Sequence, residues 1–415
     1  MWKKLKSAFT AVPMQPGYAD AGDILRVLCT FFVAWFHIWQ QSWLSPNFEV
    51  MGHYVRLWPV VACGYIFVDL LLLLSGFLLM LGFLSGRSRK VGPFYAGRLT
   101  RILPSYLLCV LVLFFAFALP GKQYGSTAHM QRDIFSHLTF THTFFYDAYY
   151  ASKINGALWT LCIEMQFYLI FPLLGRAFEK KPAHTYTLMM AAGIFFRAGV
   201  YLFADTYDMY FNQLPAFLDV YANGMLAALI FHKLSVPAKR RKKKRRSTQR
   251  TWSAWLCTVL AILSIVAMYK IADLQYAFAT SGRDQATRLG QMVYRLPLTV
   301  AGCVFLICGS RAIGLFRWLF SNKLVRWLSS VSFNFYMWHQ VLAVKLKEWH
   351  IPSYTGTAPH KESQQPWQWQ YTLTCFFGAL LLSVLVTYLI EKPVAKLIKR
   401  RTQSARAKKL ETPAA

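Results

Sequence analysis

Histidine is the side chain that exchanges a proton most readily near neutral pH, and His37 stands eleven residues after Arg26 in an otherwise apolar stretch. Eleven steps of about 100° bring a helix back to nearly the same face, with a rise of roughly 16 Å. One face then carries a permanent cation at one end and an imidazole at the other. A snorkelling arginine beside an unrelated structural histidine accounts for that spacing equally well. Arg98 and Arg101, three apart, offer two guanidinium forks on one face if their segment is helical. Guanidinium matches phosphate oxygens bidentately, so the pair suits a phosphorylated substrate; charge that merely anchors a loop is the competing reading. Asp69, Glu164 with Tyr168 one turn on, and Tyr336 with His339 on a shared face also interrupt apolar sequence, as do Arg197, Arg295 and Glu391. No GxSxG or HExxH segment suggests a hydrolase elbow or a zinc site, and no ligand cluster suggests a metal.

Those residues need elements to hold them. Apolar residues make up 56% of the 415 and charged residues 15%, too few to cover a soluble surface. Apolar stretches of bilayer-crossing length recur at 24–43, 62–84, 102–120, 155–175, 184–204, 214–232, 253–271, 292–310, 328–347 and 370–390. Lipid satisfies no open backbone group, and continuous runs rather than alternation select helices over a barrel. The expectation is an all-α, polytopic membrane protein of about ten transmembrane helices. A charge at the centre of such a helix costs roughly 2.5–3.5 kcal/mol on insertion scales, so the ionisable residues above are expected to face a polar interior.

The net charge of +29 suggests nucleic acid only until it is mapped onto the loops. Segments on the side of the N-terminus hold 33 Lys and Arg, and those on the other side hold 8. That bias predicts cytoplasmic termini. The run from Lys239 to Arg246 then reads as a topology anchor on anionic lipid, not a nucleic-acid site. Eight cysteines lie in or beside the spans without a CxxC pair and read as small apolar filler. The first span follows a basic start without a nearby cleavage site, so it is expected to be retained.

Six segments, in order, make the chain resemble the acyltransferase-3 family of integral membrane acyltransferases. They are Arg26 with His37, Ser75-Gly76-Phe77-Leu78 after Val68-Asp69, Arg98 and Arg101 before Ile102-Leu103-Pro104, Leu158 to Leu169 around Glu164, Ser332 to His339, and Glu391-Lys392-Pro393. Val27, Leu71-Leu72, Thr160 and Phe333 depart from the family's usual residues, conservatively in size. The resemblance implies a domain over 24–393, between a cytoplasmic N-terminus (1–23) and a basic cytoplasmic tail (394–415). The esterase-like domain that some members carry is not expected, since 22 residues follow Pro393.

The resemblance further implies transfer of an acyl group, commonly acetyl, from cytoplasmic acyl-CoA to a hydroxyl of an envelope glycan or lipid-linked acceptor. Acyl-CoA is then a co-substrate and no cofactor is permanently bound. The location implied is a bacterial inner membrane. His37 is expected as general base with Glu164 or Asp69 orienting it, and Arg26, Arg98 and Arg101 as donor-binding residues. Ser75, Trp159, Tyr168, Tyr336 and His339 are expected in support. Aromatic residues of the loops 121–154 and 349–369, Trp367 and Trp369 among them, suit either sugar stacking or interfacial anchoring. An exporter of a glycan or acylated intermediate on the same scaffold is the rival, since intramembrane ionisable residues suit that role too.

Overall fold

The computed structural model describes residues 9–10 and 17–400, apart from 88, 205–207, 236–244, 282–283, 357–358, 360–364 and 399. Most of the expected N-terminal segment and basic tail, and the greater part of the run at Lys239, lie outside the described residues. Ten long helices carry the described chain: α1 (Ala21–Ser42), α2 (Phe67–Leu84), α3 (Val91–Val112), α4 (Trp159–Lys180), α5 (Pro182–Phe203), α6 (Leu218–Ser235), α7 (Arg245–Ala279), α8 (Asp284–Gly309), α9 (Lys323–Glu348) and α10 (Gln365–Val386). Each contains or overlaps one of the ten expected spans. Nine of them, all but α9, are long and apolar enough to cross a membrane. α9 matches the others in length, but its ends are basic.

Helix ends follow local chemistry. The Asp20 side chain caps α1 by accepting from the Ala21 N–H, and Trp43 closes it in the left-handed region at φ 53°. Proline opens α5, where a missing N–H costs nothing. α3 starts at Val91, well before the expected span at 102, so Arg98 and Arg101 sit on a helix and not in a loop. A two-stranded hairpin, Asn47–Val50 paired antiparallel with His53–Arg56, bridges part of the connection between α1 and α2.

Backbone contact fixes the centre of the bundle. A Cβ on Gly224 of α6 would fall 2.2 Å from the Leu73 carbonyl oxygen of α2, and one on Gly76 would fall 2.9 Å from the Tyr221 carbonyl oxygen. Small residues allow such close approach, which dispersion then rewards in a solvent as apolar as the protein itself. α1 and α9 lie side by side: Arg26 donates to Ser329 at 3.3 Å, the His37 and His339 rings are 5.2 Å apart, and Lys347 donates to the Gln41 carbonyl at 2.7 Å. Positions rise together on both helices, so they run parallel, as the first and ninth members of an alternating series must.

Two buried ion pairs brace the same core. Arg197 of α5 grips Asp219 of α6 with two hydrogen bonds of 2.7 Å, and both side chains are almost fully buried. Arg295 of α8 donates to Asp69 of α2 at 2.9 Å and to the Ala216 carbonyl at 3.1 Å. Its guanidinium also lies 4.3 Å from the centre of the Phe217 ring.

Candidate active site

The ionisable residues gather around two cavities. The first, of about 120 Å³, is walled by α1, α2, α3, α4 and α9 and lined by Arg26, Ser75, Arg98, Arg101, Glu164, Tyr168 and Tyr336. Three cations face one carboxylate there. Glu164 accepts from the Ser75 hydroxyl at 2.8 Å and from the Tyr168 hydroxyl one turn along its own helix. The Ser75-Gly76 pair thereby does two jobs on adjacent faces of α2: the serine binds Glu164 and the glycine admits α6. Arg98 lies over two aromatic rings, 5.5 Å from the centre of Tyr168 and 5.8 Å from that of Phe94. Stacking holds that guanidinium while leaving its N–H edges for another partner. Arg26 is tied to α9 through Ser329, whose hydroxyl donates to Asp23 at 2.7 Å.

The second cavity, of about 400 Å³, is lined by His37, Gln40, Tyr65, Asp69, Trp159, Arg295 and Tyr336, with Tyr149, Tyr150, Asn212, Gln275, Gln291 and Tyr294 around them. Among the described residues, its charged lining groups are Asp69 and Arg295, already bonded to each other. It therefore presents hydroxyls, amides and ring faces around one imidazole, with no net charge. His37 Nδ1 lies 3.0 Å from the Gln40 side-chain oxygen, which can only accept. That bond places the proton on Nδ1 and leaves the Nε2 lone pair available as a base. His339 is fixed likewise, its Nδ1 donating to the Tyr336 carbonyl at 2.7 Å.

Glu164 and His37 line different cavities. Among the described residues, Gln40, not Glu164 or Asp69, hydrogen-bonds the His37 ring, and Asp69 is committed to Arg295. Arg26, Arg98 and Arg101 do share one cavity, and Trp159 stands beside His37's cavity, 5.9 Å from the Phe217 ring. Sequence reasoning missed Gln40, though its position one turn after His37 was readable. It also missed Tyr149, Tyr150, Asn212, Gln275 and Gln291, whose convergence depends on tertiary packing alone.

The loop 121–154 contains a helix, Thr127–Leu138, and supplies Tyr149 and Tyr150 from the end of a second, short helix, Tyr146–Tyr149. Its buried Asp133 accepts from the Tyr124 hydroxyl and the Lys153 N–H, both at 2.9 Å, and lies 3.1 Å from His137 Nδ1. Burial alone would raise this carboxyl, but those hydrogen bonds hold it below the usual carboxylate range. Trp367 packs on Tyr371 and Trp369 faces Phe48, away from the His37 cavity.

The family described as "Acyltransferase domain" matches residues 21–392. Nodulation protein 10 of Rhizobium leguminosarum bv. viciae is 28% identical over 270 residues, covering 60% of this chain and 68% of that protein. Peptidoglycan O-acetyltransferase OatA of Listeria monocytogenes is 23% identical over 400 residues, covering 91% of this chain. The match spans little more than half of that relative, 56% of its length. O-acetyltransferase OatA of Staphylococcus aureus is 26% identical over 171 residues, which is 38% of this chain and 25% of that protein. No solved structure matches.

Proposed function

The chain belongs to the acyltransferase family, and from that premise we propose that it transfers an acyl group, acetyl first among them, from acyl-CoA to a hydroxyl of an envelope glycan or lipid-linked acceptor. One observation carries this reading: two cavities of different chemistry abut, one lined by three arginines and the other by a histidine among polar groups that carry no net charge. A CoA head is polyanionic and suits the first. A polyhydroxyl acceptor suits the second, since amides bind hydroxyls and aromatic faces stack on sugar rings. The family and the O-acetyltransferase relatives favour this reading over export.

In the proposed reaction Arg26, Arg98 and Arg101 hold the donor's phosphates. Where the cavities meet, the acceptor hydroxyl attacks the thioester carbonyl carbon. His37 Nε2 takes the hydroxyl proton as the C–O bond forms. The C–S bond then breaks, and the departing thiolate takes that proton from His37, which ends neutral. Gln40 keeps the imidazole in the required tautomer throughout.

Purified protein in lipid discs, supplied with radiolabelled acetyl-CoA and extracted envelope glycan or lipid-linked sugar, should release free thiol and label the acceptor in equal amounts. No acceptor-dependent thiol from any acyl-CoA would overturn the proposal. In the same preparation Arg98→Ala and Arg101→Ala should each weaken donor binding. A hydrogen bond to a charged group is worth about 1.5–3 kcal/mol, or roughly tenfold to hundredfold in affinity. Arg101→Lys should recover only part of that, because lysine lacks the planar fork. Unchanged donor affinity in both alanine variants would reduce the pair to charge that anchors the cytoplasmic end of α3.

We place both termini in the cytoplasm of a bacterium, with the domain in its inner membrane. The distribution of loop charge supports that orientation. Single cysteines introduced at 125–150 should react with an impermeant reagent added to intact cells. Those at 176–181 should react only after permeabilisation, and the reverse pattern would invert the topology.

A further inference from the structure

The arginine-lined and His37-lined cavities have two lining residues in common, Val68 and Tyr336. Tyr336 is much the larger, and it is restrained at both ends. Its hydroxyl lies 3.0 Å from the Thr160 hydroxyl on α4, and its backbone carbonyl accepts from His339 Nδ1 at 2.7 Å. The ring is buried and forms part of the wall of each cavity. We propose that Tyr336, set by Thr160, is the partition between the donor and acceptor chambers and fixes how long an acyl group can be transferred.

The inference rests on the function proposed above and extends it to donor selection. Arg26 and His37 are separated by roughly 16 Å along α1, so a donor anchored by the arginines has to extend as far as the partition, where its thioester carbonyl faces the His37 cavity and its acyl group lies against the shared wall. A two-carbon group presents one methyl to Tyr336 and Val68. Each added methylene has to lie against a ring held at its far end and in its backbone. Well-packed interiors do not yield freely to an extra methylene, and apolar pockets discriminate per methylene by about tenfold or more. Tyr336 is on this account a specificity-determining residue. The proton transfer remains with His37, and the bonds made and broken are those of the thioester exchange already described.

The experiment compares acetyl-, propionyl- and butyryl-CoA with wild type, Tyr336→Ala, Tyr336→Val, Tyr336→Phe and Thr160→Val in lipid discs, using acceptor-dependent thiol release. Both small replacements should raise kcat/KM for butyryl-CoA relative to acetyl-CoA by about tenfold or more. Tyr336→Phe keeps the ring but loses its hydroxyl's bond to Thr160, so it should shift the ratio in the same direction by only a small part of that. Thr160→Val should shift the ratio in the same direction by less. A merely structural tyrosine would lower all three donors in parallel, and that outcome, or an unchanged ratio in the small variants, overturns the inference. If Tyr336→Ala does not accumulate, Tyr336→Val decides alone. Absence of transfer by the wild type from every donor would instead overturn the acyl-CoA reading, and the partition with it.

Discussion

His37→Ala and His37→Gln should each lower acyl transfer by about 10²–10⁴-fold, the usual worth of a positioned general base, while donor binding stays intact. The geometry makes this expectation specific. His37 lies on the other cavity from Arg26, Arg98 and Arg101, so removing its ring should not disturb the donor's phosphates. Its Nδ1 is engaged with Gln40, which leaves Nε2 as the proton acceptor. Glutamine at position 37 retains a hydrogen-bonding side chain but cannot take up the hydroxyl proton. A structural histidine would give a different pattern, with glutamine active and alanine misfolded. Gln40→Ala should be milder than His37→Gln, since it loosens the tautomer without removing the base. Measuring acyl-CoA binding and single-turnover transfer in the same lipid discs separates these outcomes. Near-normal transfer by His37→Gln would remove His37 from the chemistry.

The largest expected loss of stability comes from breaking the Arg197–Asp219 pair. Both partners are buried and joined by two hydrogen bonds. Removing one partner strands the other charge, which in buried pairs costs about 3–5 kcal/mol. Arg197→Leu and Asp219→Leu should therefore each unfold at markedly lower denaturant in mixed micelles. The double replacement should recover much of the loss, because no charge is then left unpaired. If the single and double variants lose equal stability, the pair contributes packing only. Neither residue lines the candidate cavities, so surviving folded protein should bind donor normally.

The elements were legible because lipid imposes so few solutions: a run of apolar residues long enough to cross has to become a helix. Arg98 and Arg101 were legible as a pair on one helical face, whereas Arg26, whose spacing linked it to His37, was grouped with them by the family resemblance alone. Glu164 misled in its neighbourhood. Its sequence signature announces a polar role, but only packing reveals that Ser75 and Tyr168 hold it among the arginines, one cavity away from His37. Asp69 was readable as an intramembrane carboxylate, but its partner Arg295 lies 226 residues away and no local periodicity links them. The amides around His37 come from three separate long helices and one loop, and isolated glutamines on different helices carry no signal of convergence.

The Arg197–Asp219 pair also bears on how the chain is made. α5 and α6 are consecutive long helices, and each carries one side of that pair. Entering the bilayer alone, either helix exposes a charge to lipid at a cost of roughly 2.5–3.5 kcal/mol if it reaches the centre. Entering as a hairpin, the two cancel before they meet hydrocarbon. α5 buries little of its surface in the finished bundle, and Arg197 is among its few buried side chains. Insertion of α5 and α6 as one hairpin is therefore less costly than insertion of either helix alone.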